Sequence, residues 1–193
     1  MKKVEDIEKM LIVVDMVNGF TKEGVMHTPY MKALIPEIES LIEKFIKNDD
    51  KVIFIKESHH KNSKEFLKFP EHCIEGTSEA LIVDEFYRYV DEDNVYKKNS
   101  TSAIFAPNFM SDISGMKNLK EVVLAGGCTD ICVMNLAIPL VNYFDENDMN
   151  VKVVVPTNAC DTYDAINHNR DEYNSMAYKF MGQAGVKILK KYK

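Results

Sequence analysis

Four short runs of this chain are almost continuously apolar and rich in β-branched residues: Met10–Asp15, Lys51–Lys56, Glu121–Gly126 and Asn150–Val155. A strand with one wet face alternates apolar and polar residues. These runs do not alternate, so each is a strand covered on both faces, as in a parallel sheet held between helices. Weaker strand candidates lie at 94–97 and 186–189. Helical periods fill the gaps between them. Ile35, Ile38, Leu41, Ile42, Phe45 and Ile46 form one stripe within 31–48, where Pro36 is tolerable in a first turn. Val133, Leu136, Ala137 and Leu140 form a second, bent by Pro139. Tyr173, Met176, Ala177, Phe180 and Met181 form a third, closed by Gly182 and Gly185. Strand and helix in alternation predict an α/β fold: three layers, α/β/α, around a mostly parallel sheet of about six strands joined by right-handed crossovers.

A length of 193 residues suits one domain over 1–193, with enough core to fold unaided. The alternation lapses only at 57–93, a polar insertion holding three of the five histidines. A non-periodic stretch that long inside a compact domain is functional or disordered. The formal net charge of −6 disfavours nucleic acid and anionic membrane as partners, because phosphate binding needs clustered positive charge. No apolar run approaches the ~20 residues of a spanning helix, and acids occupy the place of a signal-peptide core, which implies a cytoplasmic protein. The partner expected is a small molecule. The apolar content would allow a homo-oligomer, but no pattern marks an interface. Four cysteines (Cys73, Cys128, Cys132, Cys160) are too sparse for a disulfide framework, so each is a core filler, a ligand or a nucleophile.

Ligands of an open parallel sheet collect at the carboxyl ends of its strands. Asp15, Glu57, the pair Lys97-Lys98 and Gly126-Gly127-Cys128 all occupy such ends. Cys132 lies where the third apolar run passes through two glycines into a helix that Thr129 or Asp130 can cap. The helix dipole there would hold the thiol below its ordinary ~8.5. Cys128 and Cys132 would otherwise be core residues. Asp15 suits a general base or a cap. Lys98 could keep that carboxylate ionised, giving base, cation and nucleophile on three strand ends. Glu57 and His59, with His72 beyond a loop, offer carboxylate and imidazole ligands suited to Zn, Fe or Mn. His27 and His168 lack ligand-like spacing and suit surface or local hydrogen-bond positions.

These positions together resemble the isochorismatase-like cysteine hydrolases, and within them the nicotinamidase (pyrazinamidase) branch, from about Leu11 to Gly185. Val14-Asp-Met-Val-Asn-Gly-Phe20 is similar to the family's first signature and implies a catalytic Asp15. Gly127-Cys-Thr-Asp-Ile-Cys-Val133 is similar to its nucleophile motif. That implies Cys132 as nucleophile, a cis peptide before Cys128, and an oxyanion hole from the amides of Cys128 and Cys132. The catalytic lysine is Lys97 or Lys98, and the following Ser102-Ala103 favours Lys98. Pro70-Glu-His-Cys73 followed by Gly76-Thr77 resembles the branch's metal segment and implies His72 as a ligand. Glu57-x-His59 corresponds to the family's Asp-x-His pair, and Glu65 to an extra acidic ligand of some members. Glu57 departs from the usual Asp by one methylene, which moves its carboxylate outward by roughly a bond length.

The resemblance implies hydrolysis of nicotinamide to nicotinate and ammonia through a cysteine thioester, in NAD salvage, with a divalent metal, foremost zinc. Phe20 and Phe69 match positions that pack on the substrate ring. The alternatives are another amide or carbamoyl cysteine hydrolase of the same fold, and a non-catalytic binding module on that scaffold.

Overall fold

The computed structural model describes residues 4–193. Its strands are β1 (Lys9–Val14), β2 (Lys51–Glu57), β3 (Val95–Lys98), β4 (Glu121–Gly127), β5 (Lys152–Pro156), β6 (Cys160–Asp161) and β7 (Lys187–Leu189). They make one seven-stranded sheet in the order β3-β2-β1-β4-β5-β7, with β6 alongside the end of β4. Every strand pairing is parallel. The four apolar runs are β1, β2, β4 and β5, and the two weaker candidates are β3 and β7. The seventh strand, β6, is two residues long and too short to show a period.

The helices are α1 (Asn18–Thr21), α2 (Pro29–Ala33), α3 (Ile35–Lys47), α4 (Phe109–Gly115), α5 (Met134–Glu146) and α6 (Arg170–Gln183). Alternate residues of β1 show why the runs are apolar throughout. Met10, Ile12 and Val14 enter a core with Leu136, Leu140 and Phe144 of α5, whereas Leu11 and Val13 enter another with Ile38, Leu41 and Phe45 of α3. Each face of the sheet therefore has its own hydrophobic layer, and the three-layer architecture follows.

Two helical stripes differ from expectation. The 31–48 stripe is divided into α2, capped by the Thr28 side chain, and α3, with Pro36 in its first turn. In α6 only Ala177 and Met181 are buried, and Phe180 is 57% exposed. At its start Arg170 is tied to Asp161 by two short hydrogen bonds, from Nε to Oδ1 at 2.8 Å and from a terminal nitrogen to Oδ2 at 2.6 Å.

The polar insertion is an ordered chain of short 3₁₀ turns: Lys64–Leu67, Ser78–Ala80, Asp84–Tyr89 and Glu92–Asn94. A backbone bridge His59–Ile74 closes the insertion on itself, Val17–Ile82 ties it to the segment after β1, and its Ile82, Val83 and Phe86 are buried. It is a wall of the molecule, with few turns long enough to generate a periodic stripe. Among the described residues no helix is long and apolar enough to cross a membrane.

Strand order reverses between β1 and β4, and such a switch point opens a crevice at the carboxyl ends of the strands. There Gly126 adopts φ +123°, and a Cβ added to it would lie 2.0 Å from the Val14 carbonyl oxygen. Only glycine permits both this backbone conformation and this approach of β4 to β1. We predict that Gly126→Ala destabilises the protein by about 3 kcal/mol or more in urea unfolding. Gly115→Ala, whose Cβ would meet only Val4 at 3.8 Å, should shift stability by less than about 1 kcal/mol. Equal stability of the two variants would contradict this account of the crevice.

Candidate active site

The register of β2 on β3 sets Glu57 opposite Lys98 and Lys56 opposite Lys97. Side chains alternate along a strand, so Glu57 and Lys98 turn inward together and the preceding pair turns outward. Lys97 is exposed and bound to Glu75 at 2.9 Å. Lys98 is 2% exposed, and its Nζ lies 2.9 Å from Asp15 Oδ2, 2.6 Å from Glu57 Oε2 and 3.6 Å from Cys132 Sγ. The ammonium of the cluster is that of Lys98. Asp15 stands just past β1 with φ +52°, a left-handed conformation that aspartate tolerates better than most residues. Its carboxylate, that of Glu57 and the Cys132 sulfur lie within 4.8 Å of one another.

Burial and charge divide the protons among these groups. Burial pushes Asp15 up to about 7, with Lys98 pulling against it and Glu57 adding to the rise. Burial also disfavours the Glu57 carboxylate, but Lys98 and His59 outweigh it and hold Glu57 down at about 2. Burial opposes the Lys98 ammonium, yet Asp15, Cys132 and Glu57 raise it well above its ordinary value. Cys132 departs from expectation. Burial drives its thiol well above the ordinary value, Lys98 works the other way, and Asp15 and Glu57 reinforce the rise. The resting sulfur is a thiol beside a carboxylate that ionises near neutrality.

The backbone around the thiol also differs from the simple capped helix. The Gly127–Cys128 peptide is cis, as the resemblance implies. Thr129–Val133 winds as a π-helical turn before α5, and no side chain caps it. Asp130 is engaged elsewhere, with His168 Nε2 2.8 Å from its Oδ2. His168 is buried, lies 3.0 Å from the Tyr163 carbonyl oxygen through Nδ1, and stacks on the Tyr163 ring at 3.8 Å. It is a local hydrogen-bond residue, held from two sides. The cysteines are all free.

Glu57, His59, Glu65 and His72 each offer a donor atom within 4.8 Å of the others. Donors around an ion at ~2.1 Å sit roughly 3–4 Å apart, so the group needs little contraction. His59 Nδ1 faces Asn99 Oδ1 at 3.0 Å, and His72 Nδ1 faces the Pro70 carbonyl oxygen at 2.7 Å, which leaves each Nε2 available. Such outer partners orient imidazoles for metal binding. His59 Nε2 and Glu57 Oε1 are 2.9 Å apart, yet both are buried without a hydrogen-bond partner. A buried imidazole nitrogen this close to a carboxylate oxygen is satisfied either by a proton, which Glu57 favours on His59, or by a metal ion beside them. The residues present therefore fit a divalent ion.

A small cavity of about 30 Å³ lies between the two groups. Phe20, Met26, Phe69, Ile131 and Tyr163 wall it, and Cys132, Glu57 and His72 also reach it. Phe20 and Phe69 are the two residues that the resemblance assigns to the substrate ring. Met26, Ile131 and Tyr163 are not legible in the sequence, since single apolar residues in turns carry no periodic signal. Asn99, which orients His59, follows Lys98 just beyond the end of β3, where strand alternation would turn it outward and so gives no signal of its role.

A family model described as Isochorismatase domain matches residues 9–190. The chain belongs to the isochorismatase family. Nicotinamidase 1 of Arabidopsis thaliana is 28% identical to this isochorismatase-family hydrolase over 171 residues, covering 80% of this chain and 69% of that protein. The crystal structure of nicotinamidase PncA from Bacillus subtilis aligns with a TM-score of 0.78 at 26% identity, over 95% of this chain and 99% of that one. Pyrazinamidase of Pyrococcus horikoshii, solved in complex with zinc, has the same fold, with a TM-score of 0.76 at 24% identity over 94% and 98% of the two chains.

Zinc titrated into metal-stripped protein should bind one ion per chain with all four donors intact. Asn99→Ala, which frees His59 to rotate, should weaken that binding about 10- to 100-fold by calorimetry. Unchanged affinity would place the ion elsewhere.

Proposed function

We propose that this hydrolase converts nicotinamide to nicotinate and ammonia through a thioester on Cys132. One observation carries the reading: Cys132, Glu57 and His72 line one aromatic-walled cavity, with Asp15 and Lys98 packed behind the thiol and His59 behind His72. A structural core needs no such cluster, and a binding module needs no thiol. The similarity to proteins named nicotinamidase supports the choice of substrate.

Asp15 takes the proton of Cys132, and the sulfur attacks the carboxamide carbon. Lys98 and the amides of Cys128 and Cys132 stabilise the oxyanion. Asp15 returns the proton to the departing nitrogen, so ammonia leaves and the thioester remains. It then accepts a proton from water as the hydroxyl adds to the thioester carbon; nicotinate departs and the thiol is restored. Glu57, His59, Glu65 and His72 would hold a divalent metal, foremost zinc. Such an ion supplies a Lewis acid that orients and polarises a ring nitrogen. Phe20 and Phe69 pack on the ring and exclude water. The whole chain acts as one domain, with the 57–93 insertion as its metal-bearing wall, in nicotinamide recycling toward NAD in the cytoplasm.

Ammonia release from nicotinamide, pyrazinamide and a simple aliphatic amide tests the proposal. The two ring carboxamides should be hydrolysed and the aliphatic amide should not. Cys132→Ala should abolish turnover, Lys98→Met should lower kcat by about 10³-fold, and Lys97→Met should leave it within about twofold. Turnover surviving in Cys132→Ala would end the covalent mechanism.

The pH profile gives a separate check. Asp15 works as a base only when ionised, and burial pushes it up to about 7. The ionised fraction therefore falls as pH drops through that value. kcat/KM should decline about tenfold per unit below pH ~7. A profile flat down to pH 5 would exclude Asp15 as the base.

A further inference from the structure

Glu57 stands between the metal-ligand group and the lysine, and its two oxygens face different ways. Oε2 lies 2.6 Å from Lys98 Nζ and 3.9 Å from Cys132 Sγ. Oε1 lies 2.9 Å from His59 Nε2 and has no hydrogen-bond partner among the described residues. The residue ends β2, its side chain is 1% exposed, and its backbone is fixed by the register that sets it opposite Lys98. It has no room to serve the groups in turn by swinging through solvent.

We propose that Glu57 is a shared ligand, with Oε1 for the ion and Oε2 for Lys98, so that ion binding and the position of the ammonium are coupled through one carboxylate. The extra methylene of glutamate makes this possible. An aspartate on the same backbone would withdraw the carboxylate by roughly 1.5 Å, out of reach of one of its two neighbours. Glu57 is thus a positioning residue for Lys98 as well as a metal ligand. The coupling is reciprocal by thermodynamic necessity: whatever Lys98 does to ion affinity through Glu57, the ion does to Lys98. The inference rests on the metal reading above, and its test separates the two.

Zinc affinity of the metal-stripped chain is to be measured by calorimetry in the native sequence, Lys98→Met, Glu57→Gln and the double variant. Removing Lys98 frees the carboxylate from a competitor and should tighten zinc binding about fivefold or more beyond any change seen in the Glu57→Gln background. Direct repulsion between Lys98 and the ion is present in both backgrounds and cancels. Identical effects of Lys98→Met in the two backgrounds would overturn the shared role. A crystal structure of the zinc-loaded native chain decides the matter without any variant. Oε1 on zinc with Oε2 still within hydrogen-bond distance of Lys98 is the result expected. Both oxygens on zinc, or neither, would overturn the proposal while leaving the ion site intact. Failure of the native chain to take up zinc would overturn the metal reading itself.

Discussion

One buried ammonium organises the catalytic end of this molecule. Taking a charge of that size out of water costs of order 20 kcal/mol in the ideal limit, and several kcal/mol even after relaxation. Lys98 is tolerated there because Asp15 and Glu57 stand 2.9 and 2.6 Å away. The dependence runs both ways, since two carboxylates within 4.8 Å of one another and of a thiol do not both ionise readily without a cation among them. Burial and the ammonium, pulling in opposite directions, sort the acids. Glu57 stays ionised at about 2, Asp15 reaches about 7, and the sulfur keeps its proton at rest. A base poised near neutrality beside a thiol is the arrangement the proposed chemistry requires.

The scaffold delivers these groups by register. Parallel pairing aligns the carboxyl ends of β1, β2, β3 and β4, and the reversal of strand order between β1 and β4 opens the crevice above them. Gly126 lets the end of β4 press against Val14, which brings the turn carrying Cys132 beside Asp15. The insertion after β2 then folds back, anchored by Ile82, Val83 and Phe86, and presents His72 across from His59, with the ring centroids 4.7 Å apart. Phe20, Phe66 and Phe69 pack around these imidazoles and keep the wall dry. Strands supply the acid and cation, a turn supplies the sulfur, and the insertion supplies most of the metal donors.

Much of this was legible in the amino-acid sequence, for identifiable reasons. Strands buried on both faces leave long apolar runs, so β1, β2, β4 and β5 declare themselves. β6, with two residues, and α4, with seven, are too short for a period to accumulate. Asp15, Glu57 and Cys132 end or follow apolar runs, and the histidine spacing of the insertion points to ligands. The choice between Lys97 and Lys98 needed the pairing of β3 with β2, a long-range fact that composition does not carry. The state of the thiol differs from the sequence expectation for a similar reason. A helix dipole is local and visible in sequence, whereas the burial that outweighs it comes from contacts across the whole core. Asp130 suited a cap until its partner His168, 38 positions away, was placed beside it.

Trapping the covalent species tests the central claim most directly. The native chain is to be mixed with nicotinamide, quenched in acid within one turnover, digested, and its cysteine peptides weighed. The account predicts a nicotinoyl adduct on the peptide bearing Cys132 and on none bearing Cys73 or Cys160. Steady product formation with Cys132 unmodified at every time point would contradict it.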